Sequence, residues 1–367
     1  MIELITILHY TPGFLSGGIE SRLLDWYRNI DRKLIRFILI KLNNVNDTKL
    51  IEEFKSLGGI VYNLPPLKKS NFFLMTSRIK KIIVKEQVDI VHVHDINSGY
   101  FALKAAKKCK IRCRIYHSRT NSFSNNEKMA FIKKILMKMS PKYATDYWAC
   151  SDSAGTFAFG KKFTDNGFVL KNGIQLDYYR YDEKVRYIIR KRYNFELDDI
   201  VIGCVCRIVE SKNIPFLLNV IDNLRMVNSK YKLLLVGSGD FGIIHNHYAG
   251  VIPDYIKIAG EIKDVWDYYF AFDVFCSPSK YEGFGTTAIE AQAAGIPTIV
   301  STGFPEKVAI SPNIKRLEIV DEQVWVSYIL NLNLRRDLFS YNKVKENGYD
   351  AKDVAKYLQD FYLNHCA

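Results

Sequence analysis

The sequence predicts an α/β protein of two domains, each built on a parallel sheet. Three observations carry this. The chain has 367 residues, more than one hydrophobic core ordinarily supports. Short apolar runs alternate with helix-period segments from end to end, as βαβ units do. Apolar residues make up 48% and aromatics 13%, enough for two buried sheets and too much for a disordered chain.

The first half supplies predicted strands at Glu3–His9, Phe37–Leu42, Ile60–Leu64, Ile90–His94, Arg112–His117 and Tyr147–Cys150. The first of these opens the chain without a basic leader or a small-residue cleavage site, so a cytoplasmic location is expected. No run of about 18 uncharged apolar residues is present, so no membrane span is predicted. Between Tyr10 and Ser21 the loop Thr-Pro-Gly-Phe-Leu-Ser-Gly-Gly-Ile-Glu feeds a helix starting near Ile19. Gly17 and Gly18 there permit either a tight turn or the close approach of backbone to a ligand. This is not the three-glycine dinucleotide fingerprint. His92 and His94 share one strand face, but no third ligand follows at metal spacing, so no metal site is predicted. His117 stands at a strand's C-terminal end, where ligands bind in open α/β sheets. A purely structural histidine is the alternative.

Charge is uneven. Residues 1–185 carry 31 Lys+Arg against 17 Asp+Glu, or +14, and the remainder 21 against 22, or −1, which sum to the net +13. A basic first half suits an anionic partner. Two segments hold much of it: Lys68 to Lys85, and Lys128 to Lys142 with Met129, Ile132, Leu136 and Met139 at near-helical spacing. Such a stripe fits a helix resting on acidic headgroups or a helix packed on the core. Aromatic–basic alternation and known nucleic-acid motifs are absent, so nucleic acid is not expected. The seven cysteines are scattered and odd in number, which predicts buried reduced thiols.

The second half begins with the doubly buried strand Asp199–Cys206, followed by Arg207 and Lys212. Cations leaving the C-terminal edge of a parallel sheet can clamp a diphosphate. Then come the strand Lys232–Val236, the turn Gly237-Ser238-Gly239, the strand Ile256–Ala259 and the loop containing Lys263. The most informative stretch is residues 280–297, Lys-Tyr-Glu-Gly-Phe-Gly-Thr-Thr-Ala-Ile-Glu-Ala-Gln-Ala-Ala-Gly-Ile-Pro. A strand ends at Ser277, Gly283 and Gly285 open a turn, and a helix runs from Thr286 to Ala294. The helix start points free N–H groups at an anion. Glu282 and Glu290 are either ordinary surface carboxylates or acceptors for hydroxyls. Glu322–Leu330, Arg336–Lys345 and Ala351–His365 are predicted helices.

That stretch resembles the glutamate, seven residues, glutamate signature of retaining glycosyltransferase family 4, in particular its capsular and exopolysaccharide members. Other segments carry the same likeness. Gly17, Gly18 and Glu20 resemble the family's Gly-Gly-x-Glu loop. Arg207 and Lys212 resemble its phosphate-binding pair, with Cys206 where glycine is usual. Asn172-Gly173-Ile174 resembles the junction motif, and His117 the histidine that touches the donor sugar.

The resemblance implies the GT-B fold, two Rossmann-like domains with sheets facing across a cleft. It implies an N-terminal acceptor-binding domain over 1–185, a nucleotide-sugar domain over 186–348, and a C-terminal helix over 349–367 packing back on the first. The implied activity is retaining transfer from a UDP-sugar to a lipid-linked saccharide. Implied catalytic residues are Glu282, His117, Arg207 and Lys212. Implied donor contacts are Gly17, Gly18, Gly237, Gly239, Lys263, Gly283, Phe284, Gly285, Thr286, Thr287 and Glu290. With no Asp-x-Asp pair in the chain, no metal or other cofactor is expected. An epimerase on this fold and a non-catalytic nucleotide-sugar-binding subunit are the alternatives.

Overall fold

The computed structural model describes residues 4–11, 18–42, 49–120, 130–262 and 264–366. They form two compact units, Met1–Ile174 with Ala351–Ala367, and Gln175–Asp350.

The first unit holds a parallel sheet of β1 (Ile5–Thr11), β2 (Ile35–Lys41), β3 (Ile60–Asn63), β4 (Ile90–Val93), β5 (Cys113–Ser118), β6 (Asp146–Ala149) and β7 (Gly167–Val169). The strand order is β3-β2-β1-β4-β5-β6-β7. Direction reverses between β1 and β4, so this pair forms the switch point at which open α/β sheets bind ligands. The central strands are β-branched and buried on both faces, as a sheet covered by helices requires. One face packs beneath helices Phe72–Lys85 and Tyr100–Lys108. The other packs beneath Gly18–Asn29 and the C-terminal helix Ala351–Cys366. Val354, Ala355, Leu358 and Tyr362 of that last helix are buried, and Phe361 meets Trp148 edge-on at 4.7 Å.

The second unit repeats the plan with β8 (Ile200–Val205), β9 (Tyr231–Val236), β10 (Ile256–Gly260), β11 (Val274–Ser277), β12 (Thr298–Ser301) and β13 (Ile314–Leu317). Their order is β10-β9-β8-β11-β12-β13, all parallel. The corresponding switch point lies between β8 and β11. The sequence reading passed over β13, an edge strand reading Ile-Lys-Arg-Leu whose side chains are only half covered.

The second unit begins at Gln175, ahead of the boundary at 185 that the sequence suggests. The charged segment at 183–192 is the helix Glu183–Arg192, capped by Asp182, which accepts from the N–H groups of Lys184 and Val185. Arg186 and Arg190 tie it to Asp273 at 2.7 and 3.0 Å. Its long cationic side chains reach inward to one carboxylate, so a highly charged helix is packed against the unit.

The lysine-flanked stripe is also resolved for its described part. Leu136 is buried, and Ile132 and Met139 pack against the core cluster, so these residues face inward. A different set stays in solvent: Phe131 and Ile135 on the helix Ala130–Met139, and Phe73, 90% exposed, with Leu74 on Phe72–Lys85. Lys128 and Met129 lie outside the described residues. Among the described residues no helix is long and apolar enough to cross a membrane.

Candidate active site

At the second switch point, Arg207 leaves the end of β8 and stands exposed. The chain then makes a short turn, Glu210–Lys212, and enters the helix Ile214–Val227 through Asn213 in the left-handed region. The β11–helix loop is held to this turn. The N–H of Lys280 donates to the Ser211 carbonyl at 2.8 Å, and the Lys280 ammonium reaches Glu210 at 3.0 Å. This fixed spacing brings Lys212 to Glu282, and the ammonium and carboxylate pair directly. Ser279 donates a second hydrogen bond to the same carboxylate oxygen at 3.0 Å. Both charges are mostly buried, so each stabilises the other against desolvation.

Glu290 is not on a solvated helix face. It is 6% exposed and accepts from the buried Tyr269 hydroxyl at 2.7 Å. The bland surface reading fails for it. Gly285 has φ of +88°, and a Cβ there would lie 2.2 Å from the Phe304 ring, so the turn into Thr286–Ala293 demands glycine. The N–H groups of Thr286 and Thr287 have no acceptor among the described residues. They end a helix aimed outward from the switch point, a ready anion cradle.

Gly237 has φ of +137°, and a Cβ would strike the Cys206 carbonyl at 1.9 Å. Gly239 forms a bridge with Ile208. These glycines therefore let the β9 turn lie flat on the segment carrying Arg207. Phe284 is buried and stacks on Tyr349 at 5.4 Å, so any contact it makes to a ligand is through backbone. Gly283 precedes it in the half-covered part of the loop. Lys263 and Gly17 lie outside the described residues, and Gly18 begins the helix Gly18–Asn29.

At the first switch point the structure gathers His9 of β1, His92 and His94 of β4, and His117 of β5. All are buried. The Tyr362 hydroxyl lies 2.8 Å from His92 Nδ1, and His92 Nε2 lies 3.0 Å from His117 Nδ1. His9 Nδ1 and His94 Nε2 are 3.0 Å apart. Trp26 stacks over His117, and the Arg119 guanidinium lies 4.9 Å from the Trp26 ring. Arg119 Nη1 donates to Asn172 at 2.6 Å, joining two motifs far apart in sequence.

Burial, then the Arg119 charge, pushes His9 down to about 3 and His117 well below the imidazole range. His92 and His94 are held low by burial first, then by neighbouring histidines and Arg119. All four rings are neutral at neutral pH.

Sequence reasoning singled out His92, His94 and His117 but missed His9, Trp26, Arg119 and Tyr362. The register pair His9–His92 was invisible because strand order is a property of the fold. His9, His92 and His94 place one nitrogen each within 4.8 Å of one another, so a third histidine does come near, across the sheet rather than along the chain.

Two doubly wound parallel sheets, with cations and a helix N-terminus at the second switch point, make a sheet edge suited to an anion. Residues 185–349 match the family described as glycosyl transferases group 1, and residues 26–146 match the glycosyl transferase 4-like family. The chain belongs to this group of glycosyltransferases and has the GT-B fold. It is 28% identical to EpsF of Bacillus subtilis, assigned as a glycosyltransferase, over 97% of this chain and 96% of the relative. It is 24% identical to the capsular polysaccharide biosynthesis glycosyltransferase CapH of Staphylococcus aureus, over 98% and 99%. The UDP-Gal:alpha-D-GlcNAc-diphosphoundecaprenol alpha-1,3-galactosyltransferase of Escherichia coli is 24% identical over 60% and 59%. Among solved structures, Anabaena HepE in complex with UDP and glucose superposes with a TM-score of 0.78 at 15% identity, over 97% of this chain and 99% of that one. That likeness concerns the fold.

Proposed function

We propose that this glycosyltransferase moves a sugar, with retention at the anomeric carbon, from a UDP-sugar to a lipid-linked saccharide during capsular or exopolysaccharide assembly. The observation that carries the reading is the second switch point. It combines an exposed Arg207, a Lys212 paired with Glu282, and N–H groups at Thr286 and Thr287 that have no acceptor among the described residues.

Breaking the anomeric C–O bond puts negative charge on the leaving diphosphate. Arg207, Lys212 and the Gly285–Thr287 N–H groups stabilise that charge without a metal. When the diphosphate arrives, Lys212 turns from Glu282 to phosphate, and the released Glu282 carboxylate accepts from sugar hydroxyls. The Lys212–Glu282 pair is thus the resting form of two substrate contacts. Glu290, buried and oriented by Tyr269, accepts from ribose hydroxyls. His117 is the first unit's contact to the transferred sugar. Retention of this kind requires no protein nucleophile.

CapH supports a capsular setting, and the E. coli relative supports UDP and a diphospholipid acceptor, by what their names state of them. Membrane contact through Phe73, Leu74, Phe131 and Ile135, rimmed by lysines, fits the basic first half.

The test is turnover of UDP-sugars with and without acceptor, using Arg207→Ala and Glu290→Gln. Acceptor-dependent release of UDP by the wild type, lost in both variants, is expected. Unchanged turnover in both variants overturns the assignment. Conversion of the donor without acceptor indicates an epimerase instead, and UDP-sugar binding with neither reaction indicates a binding subunit.

A further inference from the structure

Four of the chain's seven histidines meet at the first switch point, and that cluster is short of hydrogen-bond partners. His9 Nε2, His94 Nδ1, His117 Nε2, Trp26 Nε1, and Arg119 Nε and Nη2 are buried without one. Native interiors leave few such atoms, and each needs an explanation.

Proton bookkeeping shows what is missing. The buried Tyr362 hydroxyl has one acceptor among the described residues, His92 Nδ1. Tyr362 therefore donates, His92 carries its proton on Nε2 and donates to His117 Nδ1, and His117 carries its proton on Nε2. Trp26 and Arg119 can only donate. His9 and His94 share one proton between Nδ1 and Nε2, so whichever donates, the pair leaves one N–H and one lone pair outward. The cluster thus offers N–H groups at His117, Trp26, twice at Arg119, and once on the His9–His94 pair, against a single lone pair.

A metal ion needs lone pairs. Although His9, His92 and His94 stand at metal-ligand separations, both His92 nitrogens are engaged, and a guanidinium that repels cations lies close by. The set fits an acceptor-rich anion instead. The open Nε and Nη2 atoms form one edge of the guanidinium, the fork that matches phosphate or carboxylate bidentately. Arg119 as a residue is half-buried, while its Nε and Nη2 atoms are themselves covered. Burial lowers Arg119 to about 10 while Arg22 and Glu20 act on it in opposite senses, and it stays cationic at neutral pH.

We propose that Arg119, with His117 and Trp26, forms a subsite for a phosphate oxyanion at the C-terminal edge of the first sheet. Tyr362 and His92 are positioning residues that keep the His117 Nε2 proton pointed at it. The inference rests on the glycosyltransferase reading for its two sources of phosphate, the donor diphosphate or the diphosphate of a lipid-linked acceptor.

The test is calorimetric titration of the full chain with UDP and, separately, with farnesyl diphosphate. It compares wild type, Arg119→Gln, Trp26→Phe and Lys212→Ala. Arg119→Gln is expected to weaken at least one ligand by roughly 10- to 100-fold, the range for a charge-assisted contact, and Trp26→Phe to weaken the same ligand less. Weakening of UDP alone identifies the donor as the source, and weakening of farnesyl diphosphate alone identifies the acceptor.

If Arg119→Gln fails to fold, Trp26→Phe decides, since it removes the N–H and keeps an aromatic ring. Wild-type affinity for both ligands in the variants overturns the subsite. Lys212→Ala separates the readings: loss of UDP binding there, with Arg119→Gln unaffected, sinks the subsite and leaves the glycosyltransferase site standing. Wild type that binds neither ligand overturns both.

Discussion

The two switch points answer the same topological invitation in opposite ways. At β8–β11 the charges are held in reserve against each other, Lys212 on Glu282, with Ser279 supporting the carboxylate. At β1–β4 an arginine, a tryptophan and three of the four neutral imidazoles hold buried nitrogens without a partner. Pairing keeps a site stable until its ligand arrives. Leaving donors open keeps a site fixed in shape but makes the unit around it depend on ligand and pH. The first unit should therefore be the more sensitive of the two.

Acid should expose this contrast most strongly. The four cluster histidines titrate below their ordinary range when folded, so below pH about 6.5 the unfolded chain binds protons that the native one does not. Their contribution is complete above that pH and is lost as pH falls toward the folded values. Each costs about 1.4 kcal/mol per pH unit in that window. Hydrogen exchange at pH 7.5 and 5.0 should show the first unit opening at the lower pH while the second stays protected. Equal loss in both units would break the comparison.

Next in size is catalysis at the paired site. Lys212→Ala should lower turnover by about 10²–10³-fold without altering hydrogen exchange in the first unit, read by coupled UDP release. A smaller effect attends Tyr362→Phe, which leaves His92 Nδ1 without its donor. It should cost about 1–3 kcal/mol by urea denaturation followed at the first unit, whereas Tyr357→Phe, on a half-exposed ring, should cost little. Smallest of all, Phe73→Ser with Phe131→Ser should reduce flotation with anionic liposomes by a few-fold. Equal partitioning of variant and wild type removes those side chains from any membrane contact.

How much of this was legible in the sequence follows from the range over which each signal acts. Strand and helix positions were readable because apolar periodicity is local. Glu322–Leu330 coincides with its helix, and the predicted strand Ile90–His94 overruns β4 by one residue. The Glu282–Glu290 stretch was readable for the same reason, one turn and one helix holding both carboxylates. Glycine at 237 was visible, but its cause, the Cys206 carbonyl pressed against it, was not. The meeting of Lys212 with Glu282 needed the β8–β11 adjacency. The donor-rich cluster needed three strands and a helix more than 200 residues downstream, as the separation of His92 from Tyr362 shows. The inward face of Glu183–Arg192 was hidden because arginine reads as surface even when it anchors.

One feature of the first unit bears on how the protein is made. Helix Ala351–Cys366 covers Trp148 and Leu170 and supplies Tyr362 to the histidine chain. Synthesis runs from the N-terminus, so the first sheet keeps one apolar face uncovered until the whole second unit has emerged from the ribosome. The second unit, residues 175–350, contains no such debt and can fold as it appears. The domain made first is then the last to be finished, and a chain stopped at Asp350 would present that uncovered face to chaperones rather than a working half-enzyme.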